Sequence, residues 1–123
     1  MTDFRKKIGK FGEDLACEYL VEKGYKILAR NYRKLWGEID IIAKSADKTL
    51  VFVEVKTLTQ LQNGLTPEMH ITPRKLRILR RACQIYTGKY PELIDNYKGW
   101  RIDLIAVSLK RNSRVSIRHY QNI

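Results

Sequence analysis

Apolar and polar positions along this chain follow two different periods. Residues 4 to about 23 repeat apolar side chains at helical spacing, with Ile8, Phe11, Leu15, Ala16, Tyr19 and Leu20 on one stripe. Gly24 follows, where a left-handed cap ends such a helix. Tyr25 to Tyr32 reads as a first strand, with Ile27 and Ala29 facing one way and Lys26, Leu28 and Arg30 the other. Gly37–Ala43 and Leu50–Thr57 are strand patterns rich in β-branched residues, joined by the short polar segment Lys44–Thr49, which suits a hairpin loop. Leu58 to Thr72 has no clear period and contains Gly64 and Pro67, so it predicts a long loop of the kind that often carries function. Thr72-Pro73 supplies an N-cap and a first-turn proline. The helix it starts runs to about Tyr86, is ended by Gly88, and buries Leu76, Leu79, Ala82, Cys83 and Tyr86. Tyr90–Gly99 is irregular, Trp100–Leu109 is apolar enough for the middle of a sheet, and Arg114–Tyr120 alternates as an edge strand. The order α-β-β-β-α-β-β predicts an α/β (mixed α+β) fold with a central mixed β-sheet flanked by helices, and 123 residues predict a single domain.

Charges inside the two central strands alter this picture. Glu54 and Lys56 share one face of Leu50–Thr57, while Val51, Val53 and Val55 point to the other. A hairpin centred on Asp47 pairs residues whose numbers sum to 94, setting Asp40 opposite Glu54 and Glu38 opposite Lys56. Directly opposed residues have Cβ atoms ~5 Å apart. Two carboxylates at that separation repel unless one is protonated or a cation lies between them. A hard divalent ion, Mg²⁺ or Mn²⁺, suits such oxygen ligands. Lys56 beside them suits orienting a water or stabilising developing negative charge.

Composition then narrows the partner. The net charge is +11, from 24 basic and 13 acidic residues. That excess suits a polyanion, nucleic acid first and an anionic membrane surface second, against the plainer reading of solubility. The second helix carries Arg74, Lys75, Arg77, Arg80 and Arg81 and no acid, which favours phosphate-backbone contact over a merely solvated face. Arg30, Arg33 and Lys34 form a second basic group, read equally as a solvated turn or a phosphate contact. Trp36 is expected to pack under its loop in preference to stacking on a base. Gln60 and Gln62 are read as solvated loop residues before nucleic-acid contacts, and His70 as a loop residue before a ligand. Asp103, within an apolar strand, is expected to bond Arg101 or backbone, and His119 to lie at the core rim. Gly9 and Gly12 lower helix propensity, which points to close approach of a backbone or a phosphate. Cys17 and Cys83 lack metal-type spacing, no apolar run approaches ~20 residues, and Met1-Thr2-Asp3-Phe4-Arg5 opens no signal peptide. A cytoplasmic protein with reduced thiols and no membrane span is expected.

Asp40, then thirteen residues, then Glu54-Val55-Lys56, resembles the D…(D/E)xK signature of the restriction-endonuclease-like nucleases. More closely, the chain resembles the bacterial YraN-like family, whose fold is similar to that of archaeal Holliday-junction resolvases. Gly12-Glu13, Gly24-Tyr25, Arg30-Asn31-Tyr32, Gly37-Glu38-Ile39-Asp40, Phe52-Val53-Glu54-Val55-Lys56-Thr57 and Arg101-Ile102-Asp103-Leu104-Ile105-Ala106 carry the resemblance in family order. Ile39 replaces a proline that often precedes the aspartate, and Leu58 stands where the family usually carries arginine. The resemblance implies a restriction-endonuclease-like core and Mg²⁺-dependent hydrolysis of DNA by Asp40, Glu54 and Lys56. It implies Glu13 as a third carboxylate at the metal, against the alternative of an exposed helix acid balanced by Lys10 or Lys6. Branched DNA as substrate and a homodimer cutting two strands follow from the same resemblance. The competing reading is a nucleic-acid-binding protein that keeps the fold without cleaving.

Overall fold

Helix α1 (Thr2–Glu22) ends where Gly24 takes φ +92°. The Tyr25 N–H donates to the Leu20 carbonyl at 2.9 Å and the Gly24 N–H to that of Val21 at 3.0 Å, closing a Schellman motif. The computed structural model describes residues 2–59, 71–110 and 114–123. The expected roles of Gln60, Gln62 and His70 therefore lie outside the described residues. After α1 come β1 (Lys26–Lys34), β2 (Gly37–Lys44), β3 (Leu50–Leu58), α2 (Pro73–Lys89), a 3-10 turn at Pro91–Leu93, β4 (Trp100–Leu109) and β5 (Val115–Tyr120).

The five strands form one mixed sheet in the order β1-β2-β3-β4-β5. All neighbours are antiparallel except β3 and β4, which are parallel because α2 carries the chain back between them. The helices cover opposite faces. Ala16 and Leu20 of α1 pack on Ile41, Val51, Val53 and Ile105. Leu79, Ala82, Cys83 and Tyr86 of α2 pack on Ile42, Phe52 and Ile102. Phe52 lies edge-on to both Tyr86 and Trp100, with ring centroids 5.6 and 5.5 Å away. Among the described residues no helix is long and apolar enough to cross a membrane.

The β2–β3 hairpin has the expected register, pairing Lys44 with Leu50 and Ile41 with Val53. Asp47 holds its turn by accepting from the Ser45 hydroxyl and from the Thr49 N–H and hydroxyl, so the chain reverses where the polar run predicts. Three local expectations are corrected. A bulge between Ile27 and Ala29 sends Ile27 to the α1 face and both Leu28 and Ala29 to the α2 face, so β1 does not simply alternate. Phe11 remains 48% exposed. At that level α1 comes so close to β3 that Gly12, with no Cβ, takes the buried position instead. Helix α2 runs through Gly88 to Lys89, one turn past Tyr86, and the Tyr90 N–H closes it on the Tyr86 carbonyl.

Candidate metal and phosphate site

The ladder between β2 and β3 ends at Ile41–Val53, one step short of the two acids. Past that point Asp40 supplies the acceptor itself: its Oδ2 receives the Val55 N–H at 2.8 Å. Across β1, the residue between the Arg30–Ile41 and Tyr32–Ile39 pairs is Asn31, in a left-handed conformation with φ +52°. Ile39 and Ile42, three residues apart, both enter the α2 core, so the alternation of β2 shifts at Asp40. The pairing of β2 with β3 is thus interrupted at the acids.

A cavity of about 910 Å³ opens at this interruption. Glu13 of α1, Asp40 of β2, Glu54 and Thr57 of β3 and Lys75 of α2 line it, with Phe4, Ile8, Ile78 and Leu79 as apolar wall. Two glycines bring the helices this near. A Cβ at Gly12 would overlap the Thr57 side chain. Gly37 combines φ +148° with a Cβ position only 3.1 Å from that of Ala82 in α2.

The electrostatics are set by burial and by like charges held together. Burial, and then the neighbouring Glu54 carboxyl with which Asp40 shares a hydrogen bond, push Asp40 up to about 8. Glu54 is only 6% exposed. Its Oε2 lies 2.8 Å from the Lys75 ammonium. Among the described residues Oε2 has this ion contact and no hydrogen bond, so a buried acceptor there has unspent capacity. Burial, followed by the adjacent Lys75 ammonium, pulls Lys56 below the usual lysine range. Burial alone would lower Lys75 too, but its contacts with Glu54 and Lys56 and the nearby Asp40 charge together outweigh that and raise it. The carboxyls of Asp40 and Glu54 and the Lys75 ammonium therefore line one cleft, with the Lys56 ammonium beside Lys75.

The residues singled out from sequence divide into three groups. Asp40, Glu54 and Lys56 come together as expected, and Glu13 lines the same cavity with its carboxylate 3.9 Å from the Arg30 guanidinium. Among the described residues no three His, Cys, Asp or Glu side chains gather closely enough to hold an ion between them. Lys75 belongs to the cleft and not to the outward basic face, because the Thr72 cap, accepting from the Lys75 N–H at 3.0 Å, fixes it in the first turn beside β3. Sequence reasoning grouped it with the other bases of α2 and did not foresee its contact with Glu54. Its signal is in the chain: it is the third residue after the Thr72 cap, in the first turn.

The basic groups expected to meet phosphate are unequal. Arg30 is committed to Asp14 at 2.7 Å, Arg33 lies 3.6 Å from Glu38, and Lys34 sits over the Tyr32 ring. Arg80 reaches the Ile123 main-chain oxygen at 3.5 Å. Arg74, Arg77 and Arg81 are exposed and have no carboxylate partner among the described residues. Trp36 does not pack under its loop; it stays 39% exposed beside a fully exposed Leu35.

Asp103 has the structural role expected of it. It is wholly buried and accepts from Arg101 Nε at 2.9 Å and from the Asn122 N–H at 3.0 Å, and it pairs with His119 Nε2 at 2.8 Å. Burial would raise its pKa, but these three bonds together hold it below the ordinary range. Tyr19 and Tyr25 complete the network through His119 and Arg101. It fastens β5 and the following residues to α1 and β4.

Comparison with known proteins gives a consistent picture. The model of the "Uncharacterised protein family UPF0102" matches residues 12–107. A UPF0102 protein of Mycobacterium avium is 41% identical over 123 residues, covering 99% of this chain and 93% of its own. One from Syntrophomonas wolfei is 36% identical over 117 residues, covering 95% and 96%. One from Trichlorobacter lovleyi is 38% identical over 115 residues, covering 94% and 87%.

Proposed function

The chain belongs to the uncharacterised protein family UPF0102, and from its cleft we propose a divalent-cation-dependent hydrolase of phosphodiesters in DNA. One observation carries the reading. Asp40 and Glu54 are held against each other where the pairing of β2 with β3 is interrupted, at the price of a strongly raised Asp40 pKa, and a buried Glu54 oxygen keeps unspent acceptor capacity. A fold gains nothing from that repulsion, and a site for a hard cation does.

The donor set fits Mg²⁺ or Mn²⁺, which take one or two carboxylates and complete their shell with water and phosphate oxygens. Asp40 and Glu54 would hold the ion, and Glu13, which lines the same cavity, would act through a bridging water. Bound there, the ion would supply charge neutralisation at the scissile phosphate and a more acidic water. The rest is the work of this chain. The Val55 N–H keeps Asp40 turned into the cleft. Lys56, its pKa lowered by burial and the adjacent Lys75 ammonium, would face the attacking water or the charge that develops on phosphate. Glu13, which lines the same cavity, would accept a proton from that water. Arg74, Arg77 and Arg81, which have no carboxylate partner among the described residues, would hold the DNA backbone from the outer face of α2. Branched DNA and a symmetric dimer are the substrate class and assembly that the likeness to resolvases suggests, and the free thiols of Cys17 and Cys83 agree with a reducing cytoplasm.

The test is cleavage of labelled linear duplex, single strand, flap and four-way junction with Mg²⁺ or Mn²⁺, beside Glu54→Gln. Metal-dependent products from wild type and none from Glu54→Gln are expected. Absence of products from wild type, with tight binding still visible by gel shift, would transfer the reading to a DNA-binding protein that does not cleave.

A further inference from the structure

Lys75 has no place in the nuclease signature, yet it makes the closest ionic contact in the cleft. Its ammonium lies 2.8 Å from Glu54 Oε2, and the Lys56 ammonium is its neighbour. With both carboxyls ionised, Asp40 and Glu54 balance Lys56 and Lys75. The four groups then sum to zero without any added ion, and a divalent cation joining them leaves two positive charges in surplus. A phosphodiester brings compensating negative charge.

Building on the phosphodiesterase reading, we infer that Lys75 is a resident counter-ion of the carboxylate pair: it competes with the divalent cation for Glu54 and makes cation and phosphate bind cooperatively. Three features of the structure suit that role. The backbone of Lys75 is fixed by the Thr72 cap, while its long side chain remains 48% exposed and has room to swing. The oxygen it touches is the one whose acceptor capacity is unspent, so the contact is an ionic one that a better-matched ligand displaces. Lys75 also lies one position from Arg74 and one helical half-turn from Arg77, so the arginines that meet the DNA backbone and the lysine that guards the acids move as one element. Turned away from Glu54, its ammonium meets a phosphate oxygen in the same cavity. The coupling is reciprocal by linkage: DNA tightens the cation, and the cation tightens DNA.

The experiment is Mn²⁺ binding by calorimetry to the wild-type chain and to Lys75→Gln, Lys75→Arg, Lys56→Gln and Glu54→Gln, without and then with a short duplex, each variant first checked for a cooperative melt. Lys75→Gln is expected to bind Mn²⁺ at least about tenfold tighter than wild type without DNA, the factor that ~1.4 kcal/mol of lost competition gives. DNA should add little further tightening to it. Lys75→Arg keeps a competing cation and should stay near wild type. Lys56→Gln, which removes the same charge without touching Glu54, should tighten Mn²⁺ much less. A merely structural role for Lys75 weakens binding on substitution and does not strengthen it. Mn²⁺ binding by wild type that Lys75→Gln leaves equal or weaker, or equal tightening in Lys56→Gln, overturns the inference and leaves the metal reading standing. No Mn²⁺ bound by wild type or Lys75→Gln, with or without duplex, overturns the metal reading itself.

Discussion

Replacing Asp40 by asparagine is expected to stabilise the metal-free protein. The Asp40 carboxyl rises from an ordinary 3.8 to about 8 in the fold. The folded chain therefore binds this proton more tightly than the unfolded chain. Its contribution is fully present below pH ~4 and is lost as pH rises through 8. At pH 7 the unfolded aspartate is already ionised by about three pH units, which at 1.36 kcal/mol each gives an upper bound of about 4 kcal/mol. The cavity admits solvent, which screens the charge, so roughly half of that, about 2 kcal/mol, is the expected gain. Asparagine keeps an oxygen for the Val55 N–H and offers an amide N–H to Glu54, as the protonated acid does. For a domain of this size the gain amounts to a rise of ~6–10 °C in Tm. The assay is urea and thermal unfolding of wild type and Asp40→Asn in EDTA at pH 5, 7 and 9. The variant's advantage should grow from pH 5 to pH 8 and then level off, and saturating Mn²⁺ should narrow it by stabilising wild type alone. An Asp40→Asn chain no more stable than wild type at pH 8 in EDTA, or an advantage that shrinks as pH rises, refutes the strained carboxyl pair.

Other parts of the molecule give sharper contrasts. Asp103→Ala breaks a wholly buried bond network and should destabilise the fold by about 3 kcal/mol in urea while leaving metal binding intact; because its pKa is depressed, that contribution is present above pH ~4 and disappears as pH falls below it. A loss of Mn²⁺ affinity as large as the loss of stability would mean that the network also shapes the cleft. Gly12→Ala drives a methyl group into Thr57 and should lower both Tm and Mn²⁺ affinity, whereas Gly9→Ala, with open space around it, should be neutral or stabilising by up to ~1 kcal/mol. Equal behaviour of the two variants would deny the close approach of α1 to β3. Arg77→Ala combined with Arg81→Ala should weaken DNA binding similarly across sequences and flatten its salt slope by ~2, one contact each, and unchanged affinity would remove the outer face of α2 from the interface.

Much of this was readable in the chain because the relevant physics is local. The polar run around Asp47 fixes the hairpin, so the 94-sum register and the meeting of Asp40 with Glu54 followed from counting. The α2 stripe also appeared as expected, with Leu79, Ala82, Cys83 and Tyr86 buried. What escaped depends on contacts distant in sequence. The bulge at Leu28 and the left-handed Asn31 reflect how β1 must twist to pair with β2. The exposure of Phe11 follows from the nearness of Gly12 to Thr57, forty-five residues away. Arg30 looked free for phosphate until α1 brought Asp14 against it. Lys75 looked like one more base on a basic helix, and only the packing of the α2 cap beside β3 turns it to Glu54.

The central claim is that Asp40 and Glu54 together hold a divalent cation where the pairing of β2 with β3 is interrupted, and crystals soaked in Mn²⁺ test it most directly through the anomalous signal of manganese. The account predicts a peak coordinated by both carboxylates, with the Lys75 ammonium displaced from Glu54. A map at saturating Mn²⁺ with no peak in the cleft, and Lys75 still resting on Glu54, would contradict it.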